Sequence, residues 1–273
     1  ANNSPSTACS AVVTYGAISA TDNCSPPNIT LFAGLPSGSV FPVGVNTIIY
    51  RATDGVGNSN TCSFTVTVND ATAPTITCPP NIVKNNDPGF CFSVTTYASP
   101  TATDNCGISS VLQTTGLGSG ASFPVGTTTN TFRATDPTGN SSTCSFTVKV
   151  NDVQLPAITC PPTLTLSNDP GDCGRAVSWV GQAAATDNCA VGSNSSNNPG
   201  YLPVGTHIIT HTVSDISGNQ TTCSQTVIVK DLEYPFVTCP PNISVTTDDF
   251  DCIATVNFAA NAGDNCPGFT LDY

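Results

Sequence analysis

The sequence predicts an all-β protein: tandem β-sandwich domains of about 80 residues, each of about seven strands and clipped by disulfides. Three observations predict it. The cysteines repeat: Cys78, Cys91, Cys106 and Cys144 are followed by Cys160, Cys173, Cys189 and Cys223, then by Cys239, Cys252 and Cys266, while Cys9, Cys24 and Cys62 belong to an earlier copy. Apolar and polar residues alternate strictly in short runs, as in Phe64, Val66, Val68 and again in Phe146, Val148, Val150, which buries one face of a strand and wets the other. Proline and glycine, 22 of each, fall between these runs as turn signals, and no run has helical periodicity.

The copies align element by element. Each opens with Pro-x-x-x-Cys-Pro-Pro (Pro74 to Pro80, Pro156 to Pro162, Pro235 to Pro241) and a short alternating segment (Ile82 to Lys84, Leu164 to Leu166, Ile243 to Val245). The turn Asp87-Pro88-Gly89 or Asp169-Pro170-Gly171 follows, because proline presets φ and glycine accepts the left-handed position. Next is a strand with the second cysteine and an aromatic slot at Tyr15, Tyr97, Trp179 or Phe258. The loop T-D-N-C carries the third cysteine (G-D-N-C at Cys266). F-P-V-G then leads into a strand ending at Asp54, Asp136 or Asp215, the loop D-x-x-G-N, and a last strand beginning T-C. The domains are predicted at 1–70, 71–152, 153–231 and 232–273. The first lacks its opening cysteine position and the fourth its last, so the chain reads as a fragment of a longer mature protein. The linkers Asp70 to Pro74, Asp152 to Pro156 and Asp231 to Pro235 are short and predict a semi-rigid rod.

Composition excludes several classes of function. Fourteen regularly placed cysteines without a C-x-x-C pair indicate disulfides in an oxidising compartment rather than zinc. Six basic residues against 18 acids, net charge −12, exclude nucleic acid and adsorption to anionic lipid. There is no apolar run long enough to insert in a membrane.

Little in the chain suggests catalysis. His207 and His211 are the only histidines; in a strand they stand roughly 13 Å apart and cannot share a metal. The repeat aligns His211 with Tyr50 and Phe132, and Gln225 with Phe64 and Phe146. Two core aromatics have become polar together, which predicts a hydrogen bond between them, since a buried polar group without a partner is costly. Asp54, Asp136 and Asp215 are expected to close turns through bonds to backbone N–H groups, with Gly57, Gly139 and Gly218 at positive φ. Calcium, which takes oxygen ligands, is the open alternative for the acids. Asp70, Asp152 and Asp231 of the linkers, with Asp22, Asp104 and Asp187 of the T-D-N-C loops, could converge near domain junctions. Three of the four copies have no histidine, so a repeated triad is impossible and no enzyme is predicted.

The words T-x-T-C-P-P-N-I, T-A-T-D-N-C, F-P-V-G and A-T-D-x-x-G-N-x-x-T-C-S-F-T-V resemble the hyalin repeat (HYR) family, and the resemblance recurs in every copy. It implies an immunoglobulin-like sandwich and an extracellular or cell-surface location; no cofactor is expected, unless the acids named above hold calcium. The four-cysteine unit is similar to arrays in large bacterial surface adhesins, including SprB-type gliding-motility adhesins. The resemblance further implies bridges Cys78–Cys144 and Cys160–Cys223, leaving Cys9–Cys24, Cys91–Cys106, Cys173–Cys189 and Cys252–Cys266, with Cys62 and Cys239 paired outside this segment. A hairpin turning at Asp87-Pro88-Gly89 would put Cys91 roughly 20 Å along the strand from Cys78, in agreement. The constant spacing of Cys78 to Cys91 and of its equivalents in three copies keeps a Cys78–Cys91 bridge open as the alternative. The expected role is a structural stalk or filament segment of an adhesin, whose surface, glycan or protein partner is met by parts outside this segment. The alternatives are a direct polysaccharide-binding module and a spacer in a secreted enzyme.

Overall fold

The computed structural model describes residues 2–3, 8–247 and 252–272. Among these there is no helix, and hence none long and apolar enough to cross a membrane. The acidic run Asp248, Asp249 and Asp251, expected as a solvated turn, lies outside the described residues. The chain forms two compact units, Ala1–Asp87 with Phe92–Asn151, and Pro88–Cys91 with Asp152–Tyr273.

The second repeat sets the pattern. Its strands are β1 (Thr75–Thr77), β2 (Ile82–Asn85), β3 (Phe92–Thr95), β4 (Thr101–Thr103), β5 (Ser110–Thr115), β6 (Ala121–Pro124), β7 (Gly126–Thr135) and β8 (Ser141–Asn151). One sheet has the order β5-β7-β8-β2; β3 with β6 and β1 with β4 form two antiparallel pairs. The alternation read from Phe146, Val148 and Val150 is what β8 buries, against Phe123, Phe132 and, partly buried, Tyr97. Tyr97 meets Phe146 edge-on with ring centroids 4.9 Å apart, and Tyr15 meets Phe64 likewise at 5.0 Å. Each complete repeat thus has eight short strands rather than about seven.

Three expectations fail here. No hairpin turns at Asp87-Pro88-Gly89: β2 runs parallel to β8, Ile82 opposite Val148, and β3 pairs with β6. The chain uses the turn to cross from one sheet to the other. Trp179 and Phe258 do not fill the aromatic slot. Trp179 is 72% exposed, and Val177 and Val180 line the third core instead. Ile243 to Val245 forms no strand and Ile243 and Val245 are exposed, because residues 232–273 contain no counterpart of β8 for it to pair with.

The polar exchange in the third repeat is as predicted. His211 and Gln225 are 1% and 2% exposed, and His211 Nε2 lies 3.0 Å from Gln225 Oε1. His207 reaches the Pro203 carbonyl at 2.7 Å, the contact Asn46 makes to Pro42 in the first repeat, so neither histidine is placed to share a metal.

The D-x-x-G-N loops are closed turns. Asp136 Oδ1 accepts from the backbone N–H of Thr138, Gly139 and Asn140 at 2.7–2.9 Å, and Gly139 has φ 100°. Asp54 and Asp215 do the same work, with Gly57 and Gly218 at φ 98° and 94°. All three carboxyl groups are held below the ordinary carboxylate value. For Asp54 the chief cause is the Asn58 side-chain amide; for Asp136 and Asp215 burial opposes the charge, and the Asn140 or Asn219 amide with the backbone donors outweighs it. A folded value below the unfolded one contributes stability that is fully present above the ordinary 3.8 and fades as pH falls through the folded value. Asp136→Asn keeps an acceptor and loses the charge. It is expected to cost about 1–2 kcal/mol at neutral pH and to flatten the acid limb of stability against pH. Thermal melts of both proteins from neutral to acid pH check this; parallel profiles would contradict it.

Candidate functional site at the repeat junctions

The residues where one repeat follows another form a recurring constellation. Its covalent part corrects the sequence reading. Cys78–Cys144 and Cys160–Cys223 are bonded, with Cα atoms 5.7 and 5.8 Å apart, and tie the β1–β2 connection to the last strand. The remaining bridges are Cys9–Cys106, Cys91–Cys189 and Cys173–Cys266, each from the second cysteine of one repeat to the third of the next. Cys9–Cys24, Cys91–Cys106, Cys173–Cys189 and Cys252–Cys266 do not form; Cys24, Cys62, Cys239 and Cys252 carry no disulfide.

The third repeat shows why. Val204 N–H donates to the Cys173 carbonyl, at the start of the strand Gly205–Asp215. Ile216 N–H donates to the Ala190 carbonyl, beside Cys189, just past its end. Eleven extended residues separate the two cysteines by roughly 35 Å, when bonded Cα atoms need about 7 Å or less. The second and third cysteines therefore sit at opposite ends of their own sandwich, and each meets a neighbouring repeat.

The non-covalent part is equally periodic. The asparagine of D-N-C donates its amide to the carbonyl preceding the other repeat's second cysteine: Asn105 to Ala8 at 3.3 Å, Asn188 to Phe90 at 3.0 Å, Asn265 to Asp172 at 3.0 Å. The residue two past the linker aspartate reaches back to the Pro-Gly turn: Gln154 accepts from Gly89 N–H and Glu233 from Gly171 N–H, at 2.8 and 2.9 Å. The turn asparagine donates to the linker as well, Asn140 to the Asp70 carbonyl and Asn219 to that of Asp152.

Among these bonds the acids converge, as the linker and T-D-N-C readings anticipated for five of the named residues. Asp70 lies with Asp104 beside Cys106, Asp152 with Asp187 beside Cys189, and Asp231 with Asp264 beside Cys266, their ligand-capable atoms within 4.8 Å in each set. Asp231 is joined by Asp264, which the reading passed over although it opens the same D-N-C word. Asp22 binds the Cys24 and Ser25 N–H groups and belongs to no such set among the described residues.

Short β-sandwiches clipped within and between repeats define a tandem extracellular-type repeat protein. The chain belongs to the HYR domain family, whose model matches residues 4–68, 69–150 and 151–229. It is similar to hyalin of Strongylocentrotus purpuratus (32% identity, 94% of this chain and 22% of the relative) and hyalin of Lytechinus variegatus (35%, 85% and 44%). It is similar also to the serine-rich adhesin for platelets of Staphylococcus aureus (28%, 49% and 7%). The chain thus spans less than half the length of these relatives. They speak for the repeat array and do not support the narrower likeness to gliding-motility adhesins.

Proposed function

We propose that this chain is a non-enzymatic repeat segment of an extracellular adhesion protein, whose repeats supply reach and resistance to pulling. The observation that carries this reading is the double clip: one bridge closes each complete repeat, and further bridges fasten consecutive repeats together. Disulfides persist in oxidising surroundings, which supports a place outside the cell or on its surface. The hyalin and adhesin relatives support adhesion as the setting. A bridge across a folded unit stops that unit from paying out its whole length under load.

Single-molecule stretching of the full chain tests this. A freed repeat of about 80 residues lengthens the chain by roughly 280 Å. Oxidised protein should extend in much shorter steps, and reduced protein in full ones. Full-length steps from the oxidised chain would refute the load-bearing role.

A second reading, direct glycan binding, has one observation in its favour. Exposed Trp179 borders a groove of about 140 Å³ with Gln182, Asn194, Ser196 and Asn198, an aromatic face beside amides and hydroxyls. Probing a glycan array with the chain and with Trp179→Ala separates the two. Binding that disappears in the variant would make the third repeat a binding module.

A further inference from the structure

We infer that the first two junctions are calcium sites, built from the oxygens of Asp70, Asp104 and Asn105 and of Asp152, Asp187 and Asn188. The inference goes beyond the adhesive reading and does not rest on it.

The argument begins with unsatisfied atoms. Asp70 is 6% exposed. Its Oδ1 accepts from the Thr72 N–H and the Asn105 amide, but its Oδ2 is buried without a partner. Asp104 Oδ2 accepts from the Cys106 N–H at 2.8 Å, and its Oδ1 is also buried and unpartnered. Asn105 spends its amide N–H on Ala8, and its Oδ1 has no donor. Two carboxylates, each with an orphaned oxygen, therefore lie within 4.8 Å of each other, and the third orphaned oxygen belongs to Asn105, whose amide N–H already touches Asp70. The second junction repeats the arrangement in part. Asp152 is 8% exposed and both its oxygens accept, from the Gln154 N–H and the Ser217 hydroxyl, while Asp187 Oδ1 and Asn188 Oδ1 are buried and unpartnered.

Such a cluster is unfavourable as it stands. A buried acceptor without a donor is costly, and two like charges in contact more so. No side chain supplies the missing positive charge: among the described residues the ion pair found is Arg175 with Asp169, elsewhere in the third repeat. A cation satisfies every term at once. Its class follows from the donors. The neighbouring sulfurs, Cys106 and Cys189, are committed to disulfides and offer no thiolate, which removes zinc and other soft metals. What remains is carboxylate and amide oxygen, the ligand set of calcium. Two oxygens on opposite sides of one calcium ion stand about 4.6–5.2 Å apart, and each acidic set lies within 4.8 Å. Water completes the six to eight ligands that calcium takes. The third set, Asp231 and Asp264, is only half-buried, has no orphaned oxygen, and is not counted.

Equilibrium dialysis of the chelator-stripped full chain against millimolar calcium chloride tests the inference. Two ions should bind per chain, and the melting temperature should rise with calcium. The paired substitutions Asp70→Asn/Asp104→Asn and Asp152→Asn/Asp187→Asn should each reduce the count from two to one. Peptide mapping of Cys9–Cys106 and Cys91–Cys189 in the variants reports that the junctions remain closed. A wild-type chain that binds no calcium overturns the inference whatever the variants do. So does a count of two retained in both variants with their bridges intact.

Discussion

Replacing Cys78 and Cys144 together by alanine is expected to destabilise the second repeat by about 4 kcal/mol. The bridge joins residues 66 apart, and closing a loop of that length removes entropy from the unfolded chain on that scale. Both cysteines also pack against the core of Phe123, Phe132 and Phe146, so their loss removes a little apolar contact as well. The effect has a place. β2 is four residues long and holds to β8 through a parallel ladder from Ile82–Val148 to Asn85–Asn151. Without the bridge just before it, β2 should open first. Hydrogen exchange by mass spectrometry should show protection lost at Ile82 to Asn85 before it is lost at β7. An unchanged unfolding midpoint, with β2 still protected, would show that the bridge is not what secures this strand. Peptide mapping of the oxidised chain bears on the same point. A Cys91–Cys106 fragment would contradict the inter-repeat pattern, and a Cys91–Cys189 fragment would support it.

That pattern marks where reading the sequence stops being sufficient. Features set by a few adjacent residues were legible. The D-x-x-G-N turn is one, because Asp136, Gly139 and Asn140 satisfy one another within five residues. The burial of alternate residues along β8 is another. The pairing of His211 with Gln225 was legible for a different reason: the repeat serves as its own alignment, and two aromatic slots changed together. The cysteine partners depend on which end of a sandwich each loop reaches, and that is decided by non-local pairing. The assumed hairpin at Asp87-Pro88-Gly89 made β2 and β3 neighbours; in fact β3 lies beside β6 and β2 beside β8. A signal was present nonetheless. Asp104 was placed near a junction with Asp70, and Cys106 is two residues further on, so its partner had to be sought in the neighbouring repeat. The exposure of Trp179 was missed for a related reason. Tyr97 is held by rings at Phe132 and Phe146, whereas the equivalents of those rings in the third repeat are His211 and Gln225.

The same pair yields the second large effect. Gln225 Nε2 donates to the Pro162 carbonyl at 3.0 Å, which turns Oε1 toward His211 and assigns the proton to His211 Nε2. His211→Phe leaves Gln225 Oε1 buried and without its donor; Gln225→Phe leaves the imidazole N–H without an acceptor and frees the Pro162 carbonyl. Each single substitution should cost about 2–3 kcal/mol. The double substitution removes both polar partners and restores the two ring slots of the other repeats, so it should cost far less than the sum, with a coupling of about 2 kcal/mol or more. It also recreates the seat in which Tyr15 and Tyr97 lie edge-on to Phe64 and Phe146. Trp179, at the equivalent position and the chain's single tryptophan, should turn into that seat. Its fluorescence would then shift to the blue in the double variant and in neither single one. Additive losses in denaturant unfolding would show that the two side chains are buried side by side without depending on each other. Unshifted emission from a stable double variant would show that Val177 and Val180, rather than the loss of the rings, keep Trp179 outside.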